Sequence, residues 1–281
     1  MGRLPTFEWA REGQDVSPAP HAVRTAVEEW RDAAGTIAVT TRTAGDQSWL
    51  QLRGVAGFAF DAVQDKVTAF PEDGAASAEV VAAYRRAALP IIQQRRGHQV
   101  LHASGIRTAA GVVAFCGTSG AGKSTLAYAF SRHAYPVWGD DAVCFDATER
   151  ELVAILLPFD LLLPSSTATY FELNPGFPRG DPDTPAAAPL AAVCVLPERG
   201  SSGDVVEVTS LVASDAFAEI LKHAYIMGLA DEEHRRALVE EYLHLVTTTP
   251  VFDVRLPDGL EHLDGLVNTI VDRLGLEPPG G

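Results

Sequence analysis

The stretch FCGTSGAGKSTLAYAF, Phe115 to Phe130, contains an unbroken G-x-x-x-x-G-K-[ST] pattern: Gly117, Thr118, Ser119, Gly120, Ala121, Gly122, Lys123 and Ser124. An apolar run, VVAFC, enters it, and a helical pattern leaves it from Lys123 to about Ala134. The glycines let the backbone curl so that successive N–H groups point inward. Those amides and the positive end of the following helix make an anion site. Lys123 is placed to reach the β- and γ-phosphates and the Ser124 hydroxyl to hold Mg²⁺, with Thr125 beside it as a weaker candidate. The pattern implies a nucleoside triphosphate such as ATP. By itself it leaves motor, switch, transporter and kinase open, and no local motif chooses between ATP and GTP.

Behind the loop comes VWGDDAVCF, Val137 to Phe145. Asp140 and Asp141 lie 17 and 18 residues after Lys123, the length of a three-turn helix, a turn and a strand. Ligands of α/β sheets collect at the carboxyl ends of strands, so both carboxylates can face a bound triphosphate. Neighbours on a regular strand point to opposite faces. The chain must therefore bend or end its strand there, and Gly139 is the residue that permits a bend. Asp141 is assigned to Mg²⁺ and Asp140 to the acceptor hydroxyl as base, with the two roles exchangeable. In a loose phosphoryl transfer the acceptor proton leaves late, so an ordinary carboxylate suffices as base.

In front of the loop, QVLHASGIRT and GVVAFCGT read as a hairpin around Ala109-Ala110. A two-residue turn sets Thr108 opposite Gly111, Ser104 opposite Phe115 and His102 opposite Gly117. His102 then lies at the mouth of the loop, able to donate to a phosphate oxygen or to orient an acceptor. A slip of one residue would turn it to the other face.

Further out, residues 1–75 read as a small β-rich subdomain (TIAVTTR, WLQLRGVAGFAF, KVTAF), and residues 76–281 as the main domain. Ala76 to Gly97 has helical spacing, with Pro90 positioned to kink it. The run ELVAILLPFDLLLP is interrupted by Pro158, and NPGFPRGDPDTPAAAP reads as a loop. LAAVCVLPERG and VVEVTSL suggest a second hairpin. Two helices, roughly Asp215–Leu229 and Asp231–Val246, a strand VFDVRL and a closing helix Leu260–Leu274 follow. The alternation implies an α/β fold with both faces of a central sheet covered.

The 281 residues are 47% hydrophobic and 21% charged, enough to bury a substantial core. A formal net charge of −15 argues against nucleic acid and anionic membrane as partners. Cys116, Cys144 and Cys194 sit in short apolar runs at spacings that fit no metal motif, as buried thiols do. With no apolar signal core at the start and no run near the roughly 20 residues of a membrane span, a cytoplasmic protein is expected.

LHASG, GTSGAGKST and GDD, in this order and spacing over about Leu101 to Phe145, resemble the HPr kinase/phosphorylase superfamily, and within it the stand-alone HPr-kinase-related, serine kinase-like proteins. LPFDLLLP, APLAAVCVLPERG and the helix containing ILKHAYIMG are similar in character. The β-rich start and the lack of a glycine-rich C-terminal signature set the chain apart from HPr kinases proper. The resemblance implies a P-loop fold related to phosphoenolpyruvate carboxykinase. It also implies phosphate binding by Lys123, Mg²⁺ held by Ser124 and Asp141, and His102 and Asp140 acting on the acceptor. A serine of a peptide, including ribosomal natural products such as lasso peptides, is an acceptor the resemblance makes available; a small-molecule alcohol is the other hydroxyl acceptor that a kinase reading admits. Relatives of this kind often assemble, which leaves a homo-oligomer open.

Arg107, Arg179, Lys222 and His223 are candidates for an extra cation on the transferred group. Besides an ATP- and Mg²⁺-dependent kinase, a non-catalytic nucleotide-binding regulatory module and a simple nucleotide hydrolase fit the loop. A base beside Mg²⁺ is what separates the first from the others.

Overall fold

The computed structural model describes every residue except 1–3, 12–13, 15–25, 32–36, 149–150, 174–183, 198–204, 226–231, 258 and 281. The chain divides into two compact units, Met1–Gly97 with Ile226–Arg236, and His98–Tyr225 with Ala237–Gly281. Residues 76–97, read from the sequence with the second domain, pack within the first unit.

The first unit holds one six-stranded sheet. Its strands are β1 (Thr6–Trp9), β2 (Ala26–Arg31), β3 (Ile37–Ala44), β4 (Gln47–Leu52), β5 (Ala56–Asp61) and β6 (Lys66–Pro71). They lie in the order β1-β6-β5-β4-β3-β2; β2 to β6 form an antiparallel meander, and β1 adds in parallel to β6. Alternation sorts the side chains: Leu50, Leu52, Phe58, Phe60, Val67 and Ala69 are buried, while the residues between them are not. Helices α1 (Ser77–Ala83) and α2 (Leu89–Arg95) are joined by a π turn, Tyr84–Ala88, in which Leu89 N–H reaches back to Tyr84 O. Pro90 accounts for the widened turn, because its ring crowds the preceding turn and it has no N–H to give. Tyr84 seats this helical segment on the sheet, its ring 4.6 Å from Phe7 and 6.0 Å from Phe58.

The second unit is mixed α/β. Its strands are β7 (Gln99–Leu101), β8 (Ala103–Thr108), β9 (Gly111–Gly117), β10 (Val137–Gly139), β11 (Val143–Ala147), β12 (Leu152–Ile155), β13 (Ala187–Leu196), β14 (Glu207–Ser210) and β15 (Val251–Arg255). Its helices are α3 (Lys123–Ser131), α4 (Ser165–Tyr170), α5 (Ala213–Leu221), α6 (Glu232–Thr248), which begins in the first unit's segment, and α7 (Leu263–Leu274). The sheet runs β10-β8-β9-β13-β12-β11-β7, with β15 on β13 and β14 on β15. β9, β13 and β15 are parallel neighbours, so Gly117, Leu196 and Arg255 end their strands at one edge. Every residue of β9 is buried, which is how a parallel strand covered on both faces reads in sequence. Phe115 stacks on Phe130 at 5.5 Å between centroids, and Leu126, Val254, Leu266 and Ile270 complete the core between β9, α3 and α7. The three cysteines are free thiols, buried on β9, β11 and β13.

One expectation is corrected here. β13 and β14 do not form a hairpin with each other: β15 lies between them, parallel to β13 and antiparallel to β14. The reason is burial. Residues 192–196 of β13 are buried and need partners on both sides, whereas Glu207, Thr209 and Ser210 of β14 are exposed and suit an edge. YPVWGDDAVCFD is broken into two strands at the aspartates, as two neighbouring carboxylates facing one site require. β10 ends at Gly139, and β11 begins at Val143.

Candidate functional site

The hairpin register is the one that a two-residue turn dictates. Thr108 pairs with Gly111, Ser104 with Phe115 and Ala103 with Cys116. His102 stands one residue beyond this ladder, at a bend between β7 and β8. The neighbouring chain bends at the same level. β8 pairs with β10 as far as Gly105 and Gly139, and pairing resumes between Leu101 of β7 and Val143 of β11. Residues 102–104 and 140–142 therefore form a gap where two antiparallel segments leave one part of the sheet for the other. The hinge residue is Asp141, with a φ of 65°; aspartate tolerates this left-handed conformation better than most side chains. Gly139 is needed for another reason: a Cβ there would lie 3.0 Å from Ala142 O.

Side chains from the hairpin, the loop and the following segment meet in this gap. Asp140 is 6% exposed and accepts three hydrogen bonds. Ser104 Oγ donates to Oδ1 at 2.5 Å, Ser124 Oγ donates to the same oxygen at 2.8 Å, and Leu162 N–H donates to Oδ2 at 3.0 Å. Burial nevertheless pushes its carboxyl above the usual range, against the pull of those donors. Ser104 and the Leu162 amide escaped the reading of the sequence. Leu162 lies between Pro158 and Pro164, which keep LPFDLLLP out of regular structure and free an N–H for Asp140.

His102 Nδ1 sits 3.1 Å from the Asp141 carbonyl oxygen. A carbonyl only accepts, so Nδ1 carries the proton and Nε2 the lone pair. Burial, and next the charge of Lys123, lower the His102 pKa, so the ring stays neutral over most of the physiological range. Its backbone N–H donates to His223 O at 2.7 Å, and Leu101 bridges to Ala224. Of the described candidates Arg107, Lys222 and His223, it is His223 whose backbone joins the site; it is buried, and its pKa is lowered by burial, by Lys123 and by His102. Lys222 is exposed and pairs with both oxygens of Glu219 at 2.7 Å. Arg107 lies next to the hairpin turn, at the other end of β8 from His102. Arg179 falls outside the described residues.

The glycine loop leaves β9 at Gly117 and enters α3 through Gly122. Gly120 and Gly122 have φ of 86° and 102°, conformations that favour glycine. Thr118, Ser119 and Gly120 are exposed, so this stretch of backbone is open to a ligand. Lys123 curls back onto its own loop, donating to Gly117 O at 2.8 Å and Thr118 O at 3.1 Å. Burial lowers its pKa, opposed by Asp141 and Asp140. Thr125 is buried and bonds the Thr167 hydroxyl of α4 at 3.1 Å. Ser124 and Asp140 supply hard oxygen ligands of the kind Mg²⁺ takes. Among the described residues no group of three or more His, Cys, Asp or Glu side chains could hold a metal. Two protein oxygens here suit a metal that completes its shell with phosphate and water. Beside the loop lies a cleft of about 390 Å³, bounded by Gly120, Gly122, Thr125 and Leu126 on one side and by Val254, Leu256 and Leu260 on the other.

No family model matches the chain, and no curated protein matches it. Among solved structures the chain is similar to the Hpr(Ser) kinase/phosphatase from Coxiella burnetii, with 12% identity over 63% of this chain and 93% of that one, at a TM-score of 0.36. A score this low says nothing about function, which has to be read from the site. Among the described residues no helix is long and apolar enough to cross a membrane.

Proposed function

We propose that the chain is an ATP- and Mg²⁺-dependent kinase with a P-loop, acting on a hydroxyl of a peptide serine or of a small-molecule alcohol. The observation that carries this reading is the division of labour in the gap. Asp140 is tied to the loop hydroxyl of Ser124, while the next residue, Asp141, is tied through its carbonyl to His102. One carboxylate belongs to the donor side, and its neighbour is carried by the residue whose carbonyl holds the His102 ring.

This division favours exchanging the roles first given to the two aspartates. Asp140 already accepts three hydrogen bonds, one of them from Ser124 of the loop, so both its oxygens are engaged on the donor side. It would hold Mg²⁺ with Ser124, and the metal when bound supplies positive charge to the β- and γ-phosphate oxygens. Lys123 would exchange the two loop carbonyls for those phosphates. The acceptor hydroxyl would donate its one hydrogen bond to the Asp141 carboxylate, with His102, held through Nδ1–H on the Asp141 carbonyl, beside it to position the acceptor. As the acceptor oxygen bonds to the γ-phosphorus, the bond to the β–γ bridging oxygen breaks, ADP leaves, and the hydroxyl proton passes to the Asp141 carboxylate.

The test offers the protein Mg·ATP with candidate peptides and alcohols and follows the gain of a phosphoryl group by mass spectrometry. Asp141→Asn is expected to bind Mg·ATP and fail to transfer, whereas Asp140→Asn is expected to lose the Mg²⁺-dependent part of binding. Release of inorganic phosphate with no modified acceptor would favour the hydrolase, and transfer at an undiminished rate by Asp141→Asn would return the base to Asp140.

A further inference from the structure

His223 has no part in the mechanism given above. It stands in the turn that follows α5, and three backbone links strap that turn to β7. His102 N–H donates to His223 O at 2.7 Å, Tyr225 N–H donates to Val100 O at 2.9 Å, and Leu101 forms an antiparallel bridge with Ala224. Extending this register by one residue sets His223 opposite His102. Residues opposite one another in an antiparallel pair project their side chains to the same face. Tyr225, two residues on, belongs to that face too, and its ring lies 6.4 Å from the His102 ring. His223 therefore projects to the side on which His102 stands, and the charge of Lys123 reaches both rings.

The surroundings of His223 suit a ring that charges when an anion arrives. The residue is 7% exposed. The charged and titratable groups that act on it are Lys123 of α3, His102 across the ladder, and Glu219 and Lys222 of the α5 segment. Glu219 is the one anion among them, and Lys222 Nζ donates to both its oxygens at 2.7 Å. Burial, and next Lys123, lower the His223 pKa, so in the free protein the ring is uncharged at neutral pH. A phosphate brought to Lys123 reverses this balance, because it adds negative charge and acceptor oxygens beside two histidines and a lysine. The group in transfer spreads its charge over three equatorial oxygens, and a second cation next to Lys123 takes a share of it.

We propose that His223 is a further phosphate-binding residue of the site, an imidazolium that forms as the triphosphate arrives and holds its terminal phosphate together with Lys123. The inference rests on the phosphate-loop reading above, and the experiment separates the two. Isothermal titration of the whole protein with Mg·ATP and Mg·ADP, between pH about 6 and 8 and in buffers of different ionisation enthalpy, reads affinity and proton uptake together. ATP is expected to draw up to about one proton per site near neutral pH. Its binding is expected to tighten as pH falls, by up to about tenfold per pH unit. ADP lacks the terminal phosphate and is expected to draw less and to bind with a flatter profile. His223→Gln keeps a neutral donor and is expected to abolish the uptake, to weaken ATP roughly tenfold or more at the acid end, and to leave ADP within about twofold. Equal proton uptake with ATP and ADP, or uptake that survives His223→Gln with ATP affinity unchanged, would overturn the inference and leave the loop reading standing. Failure of the unaltered protein to bind either nucleotide would overturn both. The comparison of the two nucleotides needs no variant to fold.

Discussion

Replacing Asp140 separates its structural from its chemical part. Alanine at this position leaves the buried Ser104 hydroxyl and the Leu162 N–H without their acceptor. Orphaning the buried Ser104 hydroxyl costs about 1–3 kcal/mol, whereas the N–H of the exposed Leu162 can turn to water. Part of that returns, because the raised pKa shows that burying the charge opposes folding. The net loss for Asp140→Ala is below about 3 kcal/mol, or up to roughly 10 °C in Tm for a unit of this size. Asn behaves differently. Its Oδ1 accepts from Leu162 N–H, and its NH₂ donates to the Ser104 and Ser124 hydroxyls, which turn to accept. The shape is kept and the charge removed, so Asp140→Asn is expected to be at least as stable as the parent. Thermal and urea unfolding of the three proteins near neutral pH, with Mg²⁺ titrations of nucleotide binding in parallel, test both halves. The expected order is Asn at or above parent, then Ala, with both variants losing Mg²⁺ dependence. An Ala variant as stable as the parent beside a destabilised Asn variant would refute the reasoning about the three donors. Undiminished Mg²⁺ dependence in Asp140→Asn would refute its place at the metal.

Other outcomes follow from the same geometry. Lys123→Met should raise the Kd for nucleotide roughly 10- to 100-fold, the worth of one hydrogen bond to a charged group, with little change in Tm; isothermal titration measures it. Gly117→Ala places a Cβ 2.9 Å from both Leu196 O and the Ala121 Cβ, neither of which can swing aside, so a stability loss of about 1–3 kcal/mol and weaker nucleotide binding are expected in melts and titrations. His102 and His223 both have pKa values lowered by burial, so below pH about 6.5 the unfolded chain takes up protons that the folded one refuses, and stability falls as pH drops through that value. Urea midpoints between pH 7 and 5 should show this slope, and a His102→Asn/His223→Asn double variant should flatten it.

Much of the loop and the hairpin was legible in the sequence, because both are local. The G-x-x-x-x-G-K-S pattern sets its own backbone through the glycines, and a two-residue turn leaves the β8–β9 register no freedom. Strand burial was legible too, since VVAFC and AAVCVL are apolar on both faces, as central strands must be. The partner of β13 was not, because VVEVTSL is nearer in sequence but VFDVRL is the better-buried strand, and only burial over the whole sheet decides between them.

The sequence by itself determined an anion-binding turn, two adjacent carboxylates a helix and a strand away, and a histidine one hairpin back. Which carboxylate meets the loop, it could not determine. Asp140 and Asp141 are chemically identical, and their directions depend on a φ of 65° at Asp141 and on a bend shared by segments 38 residues apart, 102–104 and 140–142. The Leu162 amide and the His223 carbonyl come from two further places in the chain and Ser104 from the first of these segments, each supplying one hydrogen bond. A single hydroxyl or backbone amide leaves no pattern in a sequence, and only the packing of β7, β8, β10 and β11 around one gap brings them together.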